Sequence, residues 1–184
     1  IEADSRQGIM KTLIVLRHAK AVPAGPSGDY QRVLADAGRH AATLIGADFK
    51  KHGLKPEVLL VSSAARTQET FRIAAAEAGL GEASIEDDLY LAAAGVLLRR
   101  LRKVPPRTKS VLLVGHNPGV AELVQKLADP SESDAAALSK ARARFPTAAC
   151  AVLEVLTPWS ELQDGDCALK RYVTPADLGG ANEE

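Results

Sequence analysis

An uninterrupted apolar run, Thr12 to Leu16, ends directly in the side chains of Arg17 and His18. Continuous aliphatic and β-branched residues are typical of a strand that is buried on both faces, as strands are in a parallel sheet. Helices cover both faces of such a sheet, so the run constrains the chain to an α/β fold. Ligands bind at the carboxyl ends of the strands in these folds, where Arg17 and His18 are expected to lie.

The rest of the chain alternates between strand and helix patterns. The apolar runs Val58–Val61 and Val111–Val114 predict two further buried strands. Later runs at 148–156 and 168–173 predict a final pair that adds an antiparallel edge. We therefore expect a three-layer α/β sandwich, in which a mostly parallel central sheet carries helices on both faces.

Helical spacing of apolar residues fills the intervals between the predicted strands. Ser62 or Ser63 is expected to cap the second helix, and Asn117 a later one with Pro118 in its first position. Residues 20–33 contain two Pro and two Gly and predict a long loop. The predicted helices span 35–52, Ser62 or Ser63 to about Ala78, 92–103, and Asn117 to about Leu127, whereas 129–144 gives mixed signals.

The composition limits the kind of partner that the chain can recognise. The sequence has 184 residues, with 23 Lys and Arg balanced by 23 Asp and Glu. This balance gives no support for a nucleic-acid or membrane footprint, so any positive site must be local. No apolar run approaches the length of about 20 residues that a membrane span requires, and a cytoplasmic location is expected. The two cysteines match no metal spacing.

One domain accounts for most of the length. We expect it to cover residues 10–176, because a chain of this size forms one sizeable core. Residues 1–9 lack periodicity and precede Met10, so they are interpreted as a tag remnant or a disordered tail. The polar, Gly-containing residues 177–184 are expected to form a loose C-terminal tail.

Polar side chains follow three of the predicted strands. Arg17 and His18 follow the first, Arg66 lies just beyond the second, and His116 follows the strand at 111–114. The carboxyl ends of parallel strands share one edge of a sheet, so these four side chains are expected to converge. Two arginines, two histidines and two helix N-termini suit a phosphoryl dianion.

A catalytic hypothesis follows from these residue types. Neutral His18 attacks phosphorus and is transiently phosphorylated, while Arg17 and Arg66 hold the equatorial oxygens. His116 donates a further hydrogen bond, and we expect it to be an imidazolium. Water then hydrolyses the phosphohistidine. The side chains supply the positive charge, so neither a metal nor a cofactor is expected.

Four motifs, in order, resemble those of the histidine phosphatase superfamily. LRHAK at 16–20 resembles its Arg-His-Gly signature, with Ala19 in place of the glycine. DYQRVLADAG at 29–38 resembles its Asp, Arg, Leu and Gly pattern, and SSAARTQET at 62–70 resembles the segment of its second arginine. VGHNPGV at 114–120 resembles the segment of its second histidine. Four motifs in order are far more specific than one.

The resemblance implies a phosphoglycerate mutase-like fold and a phosphatase activity. The small size, the RHA variant and the GHNPG form are similar to the short bacterial phosphohistidine phosphatases of the SixA type. In that family the residue matching His18 is the phosphorylated nucleophile, and those matching Arg17, Arg66 and His116 bind the phosphate. The implied partner is a phosphorylated protein, such as a phosphotransfer domain or a phosphocarrier.

The sequence departs from the larger phosphatases and mutases at two places. Their acid, which protonates an ester oxygen, falls at Leu91 here, and Glu86, Asp87 and Asp88 lie nearby but displaced. An alkoxide leaves poorly without a proton donor, whereas the imidazole of phosphohistidine is a better leaving group. Segment 20–28 also lacks the asparagine that follows the signature in mutases. The missing acid favours a P–N substrate over an ester, and the missing asparagine argues against a mutase.

Several further residues have competing interpretations. Arg32 can reach the phosphate or pair with Asp29 to hold the loop, and the second role is favoured. Asn117 is at least a helix cap and a candidate for ligand contact. Tyr90 and Trp159 are interpreted as packing residues. A small-molecule phosphomonoesterase, acting on a sugar phosphate or a nucleotide, is the first alternative function, and a non-catalytic phosphate-binding module is the second.

Overall fold

The computed structural model describes residues 10–183, so the predicted tag remnant at 1–9 lies outside the described part of the chain. Within residues 10–183, six strands form one sheet. They are β1 (Lys11–Arg17), β2 (Val58–Ser62), β3 (Ser84–Glu86), β4 (Ser110–Gly115), β5 (Cys150–Val155) and β6 (Cys167–Val173). Their order across the sheet is β3-β2-β4-β1-β5-β6. Strand β1, which contains the opening apolar run, therefore lies inside the sheet.

Strand β1 positions the site from inside the sheet, where helices cover both of its faces. Residues Leu13–Leu16 are at most 1% exposed, as a strand covered on both faces requires. Strands β1 and β4 run parallel, with Arg17 opposite Gly115. This register brings the next residue of each strand, His18 and His116, to the same edge of the sheet.

The direction of the strands confirms the predicted sheet. Strands β1, β4, β2 and β3 are mutually parallel where they pair. Strand β5 pairs antiparallel with β1, and β6 pairs antiparallel with β5. The late strands are therefore the antiparallel edge that the sequence predicts, and the carboxyl ends of β1, β2 and β4 remain together on one side.

Helices cover both faces of the sheet and complete the predicted three layers. The helices are α1 (Asp36–Lys51), α2 (Ala65–Ala78), α3 (Ala94–Arg102), α4 (Gly119–Leu127) and α5 (Ala135–Ala143). Leu13 and Val15 of β1 belong to a buried cluster with α3, α4 and α5. Ile14 and Leu16 point to the other face and pack with α1 and α2. Helix α5 lies in the stretch whose sequence signals are mixed.

The predicted cap of helix α2 is wrong. The helix begins at Ala65, its N-cap is Ala64, and no side chain caps it. The hydroxyl of Ser62 instead lies 2.7 Å from Nε2 of His116, and the buried hydroxyl of Ser63 has no partner within the described residues. The Ser62 hydroxyl therefore bonds to His116, which is distant in sequence, rather than to the helix that local sequence predicts it to cap.

The predicted cap of helix α4 is also wrong. The helix begins at Gly119 after Pro118, which occupies the N-cap position without a side-chain hydrogen bond. The side-chain amide of Asn117 donates to the carbonyl of Phe145 at 2.8 Å. Asn117 is thus committed to a segment 28 positions away rather than to the helix that follows it.

The predicted loose tail is held against the domain as far as the structure describes it. The N–H and the hydroxyl of Thr147 donate to the carbonyl of Glu183 at 3.1 and 2.8 Å. The Asn182 side chain accepts from the N–H of Ala176 at 2.9 Å. Residues 177–183 therefore have specific partners, which polar composition does not reveal. Across the described chain, none of the helices combines the length and apolar character needed to cross a membrane.

Candidate active site

Three strand ends meet where the sequence predicts a pocket. Strand β4 lies between β2 and β1, so the residues that follow these strands are neighbours. The imidazole rings of His18 and His116 lie 5.3 Å apart between centroids. Nη2 of Arg66 lies 3.3 Å from Nδ1 of His116. The structure thus brings together side chains that are up to 98 positions apart in sequence.

His18 has one ring nitrogen fixed and the other available. Its backbone N–H donates to the carbonyl of Gly115 at 3.0 Å, and Nδ1 lies 2.8 Å from the carbonyl of Ala19. A carbonyl only accepts hydrogen bonds, so we assign the proton to Nδ1. The lone pair of the neutral ring is then on Nε2.

The partners of His116 define its tautomer in the same way. An arginine only donates hydrogen bonds, so Nδ1 of His116, facing Arg66, is the acceptor. The proton therefore lies on Nε2, which donates to the hydroxyl oxygen of Ser62 at 2.7 Å. Ser62 thus contacts the candidate site, which the sequence did not predict because its partner lies 54 positions away.

Burial controls the charge of both histidines. Desolvation lowers the pKa of His18 to about 3, helped by the positive charges of Arg66 and Arg17 and opposed by the hydrogen bond to Ala19. Desolvation, followed by the charge of Arg66, lowers the pKa of His116 to about 4. Both rings are therefore neutral near pH 7 without bound phosphate, and the imidazolium expected at His116 beside a bound phosphate stays a prediction. A phosphoryl dianion beside the ring would raise this pKa again.

Arg66 lies in the first turn of α2 and is 2% exposed. Thr70 fixes the helix against the strand end that carries His18, because its hydroxyl donates to the carbonyl of Arg66 at 2.7 Å. The same oxygen accepts from the N–H of Ala19 at 2.9 Å. One threonine therefore connects the backbone of Arg66 to the residue that follows His18.

Arg17 and Asn117 reach the same backbone oxygen from two strand ends. Nη1 of Arg17 donates to the carbonyl of Phe145 at 3.0 Å, and the side-chain amide of Asn117 donates to it at 2.8 Å. The positive charge of Arg17 contributes to the lowered pKa of both His18 and His116. The segment at Phe145 thus forms one wall of the site.

Arg32 is held by the loop rather than by the imidazole pair. Its Nε donates to the carbonyl of Val22 at 2.7 Å, and its Nη1 pairs with Asp29 at 3.0 Å. These contacts agree with the loop-holding interpretation favoured from sequence. The loop also carries a short 3-10 turn, Asp29–Gln31, and this turn brings Asp29 to the site.

Two side chains at the site were missed by the sequence interpretation. The ring of Tyr90 meets the ring of His116 edge-on, with centroids 5.6 Å apart, and its hydroxyl donates to Asp29 at 2.5 Å. Asp29 in turn accepts from Arg66 at 3.1 Å. Tyr90 is therefore not only a packing residue, whereas Trp159 is buried and bonded to a backbone carbonyl as expected.

The three acidic residues near Leu91 are either paired with Arg100 or exposed. Glu86 accepts two hydrogen bonds from Arg100, at 2.6 and 2.9 Å. Burial raises the pKa of Glu86, but the hydrogen bonds from Arg100 and Ser84 outweigh it and lower the pKa overall. Asp87 and Asp88 are exposed. Leu91 itself is 55% exposed.

Comparison with known proteins places this geometry in a family. No family model matches the chain. An uncharacterised protein of Mycobacterium tuberculosis is 31% identical over 160 residues, which cover 87% of this chain and 99% of that protein. The solved structure of a protein assigned as the phosphohistidine phosphatase SixA of Nakamurella multipartitia is 30% identical. Its TM-score is 0.77, with 90% of this chain and 96% of that one covered.

A second solved structure agrees. A protein of Agrobacterium tumefaciens, also assigned as the phosphohistidine phosphatase SixA, is 25% identical with a TM-score of 0.76. The match covers 91% of this chain and all of that one. The fold, with paired imidazoles and a buried arginine at its strand ends, defines a hydrolase of the phosphatase class. The chain belongs to the histidine phosphatase superfamily and resembles its short SixA-type members.

Proposed function

We propose that the protein is a metal-independent phosphatase that forms a phosphohistidine on His18 and dephosphorylates phosphohistidine on a protein. The observation that carries the mechanism is the fixed tautomer of His18. Its Nδ1 proton is committed to the carbonyl of Ala19 at 2.8 Å, so the Nε2 lone pair is available beside Arg66 and His116. An activated nucleophile next to fixed cationic donors is the arrangement that phosphoryl transfer uses.

The reaction has two balanced steps. Nε2 of His18 attacks phosphorus, and the bond from phosphorus to the substrate imidazole nitrogen breaks with its electron pair. The leaving imidazole takes a proton from water. A second water then attacks the phosphorylated His18, which releases inorganic phosphate and restores the neutral ring. Arg17 and Arg66 balance the charge on the equatorial oxygens in both steps, which is why no metal is required.

The carboxylates around the site favour a P–N substrate. Asp29 contacts Arg66, and the hydrogen bond from Tyr90, together with those from Arg32 and Arg66, lowers the pKa of Asp29 to about 2 against a smaller effect of burial. Asp29 and the paired Glu86 are therefore ionised near pH 7 and cannot protonate an ester oxygen. An alkoxide needs such a proton, whereas an imidazole leaves more readily.

The relatives support the same choice of substrate. Two proteins that match nearly the whole chain, at 30% and 25% identity, carry the assignment phosphohistidine phosphatase. The candidate substrates are a phosphotransfer domain or a phosphocarrier protein. The protein is expected to act in the cytoplasm, where such phosphoproteins occur.

A paired assay tests the substrate class. The protein is incubated with a histidine-phosphorylated protein or phosphoimidazole, and in parallel with a panel of sugar phosphates and nucleotides. We expect faster release of phosphate from the P–N compounds. Faster turnover of any phosphomonoester would instead identify a small-molecule phosphatase, and release from neither class would favour a phosphate-binding module.

Two controls test the mechanism in the same assay. His18→Ala should abolish turnover, whereas His40→Ala, at an exposed position on α1, should leave it within twofold of the wild type. Addition of a chelator should leave activity unchanged. Substantial turnover by the His18 variant, or loss of activity with the chelator, would contradict the proposed mechanism.

A further inference from the structure

Asp29 contacts the guanidinium of Arg66, which is proposed to bind the phosphoryl group. Nη1 of Arg66 donates to the backbone carbonyl of Asp29 at 2.9 Å. Nη2 donates to the carboxylate of the same residue at 3.1 Å and also faces His116. Both terminal nitrogens of Arg66 are therefore already in use by a single loop residue.

The remaining nitrogen of Arg66 has a different status. Its Nε is buried and has no hydrogen-bond partner among the described residues. A buried donor without a partner costs about 1–3 kcal/mol, so its retention needs an explanation. A guanidinium is planar and offers its donors in a fixed fork. Asp29 and His116 use three of the five N–H groups of Arg66, so the donors left for an anion are the Nε–H and one N–H of Nη1.

Asp29 is itself held in place from two directions. The Tyr90 hydroxyl donates to Oδ2 of Asp29 at 2.5 Å, and Nη1 of Arg32 donates to Oδ1 at 3.0 Å. The ring of Tyr90 lies edge-on to His116 and 6.0 Å from the guanidinium carbon of Arg66. Asp29 therefore contacts Arg66, and Tyr90 lies against both Arg66 and His116.

We propose that Asp29, oriented by Tyr90, is a positioning residue that turns Arg66 so that its Nε edge receives a phosphoryl oxygen. This inference rests on the proposed function, because it assigns a task to Arg66 within the phosphate site. Asp29 touches Arg66 rather than the reacting atoms. It stays ionised across the working pH range and does not supply a proton.

If Asp29 instead competes with phosphate for Arg66, the predicted change in anion affinity is the opposite. A carboxylate that merely competes with phosphate for Arg66 would weaken anion binding, so its neutralisation would strengthen binding. A carboxylate that orients Arg66 is needed for binding, so its neutralisation weakens it. The direction of the change in affinity therefore decides between the two roles.

The experiment measures binding of inorganic phosphate and vanadate to the full chain. Asp29→Asn should weaken both by about 10- to 100-fold, and Tyr90→Phe, which removes only the hydroxyl, by about 3- to 10-fold. The matched control is Asp36→Asn, which removes an exposed aspartate whose partner, Arg39, lies on the surface at 2.8 Å. It should bind within twofold of the wild type.

Two further readouts separate positioning from a general structural role. The Nε–H resonance of Arg66 should shift on phosphate binding in the wild type and should lose that response in the Asp29→Asn variant. Asp29→Glu, which keeps the charge, should recover part of the affinity. Unchanged or tighter anion binding by a folded Asp29→Asn variant would overturn the proposal.

These measurements do not depend on turnover, so the two proposals can fail separately. A wild-type protein that binds vanadate but hydrolyses no phosphoryl compound contradicts the proposed function alone. A wild-type protein that hydrolyses phosphohistidine, with anion affinity insensitive to Asp29, contradicts the positioning role alone.

Discussion

At the scale of single residues, His116 has a partner at each ring nitrogen. Arg66 faces Nδ1, and Ser62 accepts from Nε2 at 2.7 Å. Partners that fix the tautomer of a buried imidazole also fix its orientation. The two contacts therefore hold His116 in one orientation at the strand ends, and the serine contributes to that orientation.

Removal of the Ser62 hydroxyl should impair the site without unfolding the domain. In Ser62→Ala, the Nε2 proton of His116 loses its acceptor, and the ring is no longer held by the β2 strand end. We expect kcat/KM to fall by about 5- to 30-fold, which corresponds to about 1–2 kcal/mol. Steady-state kinetics with a phosphohistidine substrate measure the effect.

The adjacent serine offers a matched control for that prediction. The hydroxyl of Ser63 is also buried but has no partner within the described residues. Ser63→Ala should therefore leave kcat/KM within about twofold and should not lower stability. Equal losses of activity in Ser62→Ala and Ser63→Ala would show that the contact between Ser62 and His116 does not contribute specifically to catalysis.

Acid should destabilise the protein through His18. An unfolded histidine takes up a proton near pH 6.5, whereas burial lowers the pKa of His18 to about 3 in the folded protein. The stabilisation linked to this neutral ring is complete above pH 6.5 and is lost as the pH falls from 6.5 toward 3. By pH 5 the loss amounts to about 2 kcal/mol.

Urea unfolding at pH 7 and pH 5 measures this loss. The difference in unfolding free energy between the two pH values should be smaller by up to about 2 kcal/mol in His18→Gln than in the wild type. His40→Gln, at an exposed position, should retain the wild-type difference. An identical pH dependence in the His18 variant would mean that His18 is not desolvated in the folded protein.

At the scale of elements, the sequence predicts the strands and misses the caps, and the reason is physical. The central residues of β1, β2 and β4 are buried on both faces and must therefore be apolar, and local sequence records this requirement. The hydroxyl of Ser62 and the amide of Asn117 have two sets of partners available. In the structure, Ser62 and Asn117 bond to residues 54 and 28 positions away instead of capping helices. A local sequence pattern does not contain those partners.

Helix α1 packs against the signature segment through a glycine. A Cβ at Gly38 would lie 2.0 Å from the backbone carbonyl oxygen of Lys20. That carbonyl accepts the N–H of Ala35 at 2.9 Å, so it cannot move without loosening the start of the helix. We expect Gly38→Ala to lower the free energy of unfolding by at least about 2 kcal/mol, despite the better helix propensity of alanine.

Gly95 on α3 is the control for this effect. A Cβ at Gly95 would meet nothing within 4 Å, so Gly95→Ala should stabilise the protein by about 0.5–1 kcal/mol. Chemical denaturation of both variants gives the comparison. A Gly38→Ala variant as stable as the wild type would show that the helix does not need this close approach.

At the scale of the whole molecule, the candidate site can be predicted only in part. Its four main residues follow strand ends, so the topology of a parallel sheet brings them together. Tyr90 and Asp29 are different, because they follow no buried strand and meet across 61 positions. Their contact depends on how two loops pack, and loop conformation is not recorded in periodicity or composition.

The C-terminal segment provides a further connection between distant parts of the chain. The carbonyl of Glu183 accepts two hydrogen bonds from Thr147. The next residue, Ala148, donates its N–H to the carbonyl of His18 at 3.0 Å. Gly180 lies close to Leu44 of α1. The last described residues are therefore joined, through Thr147 and Ala148, to the backbone of the proposed nucleophile, His18.

Ending the chain at Gly179 should accordingly lower both stability and activity. The two bonds to Thr147 contribute about 2 kcal/mol together, which corresponds to a fall in Tm of about 4–8 °C for a chain of this length. Turnover should fall by severalfold at a temperature where the protein is still folded, because the carbonyl of His18 is held less firmly. Glu183→Gln keeps the backbone carbonyl and should change Tm by less than about 1 °C. A truncated protein with wild-type Tm and kcat would show that the segment beyond Gly179 supports neither the fold nor the site.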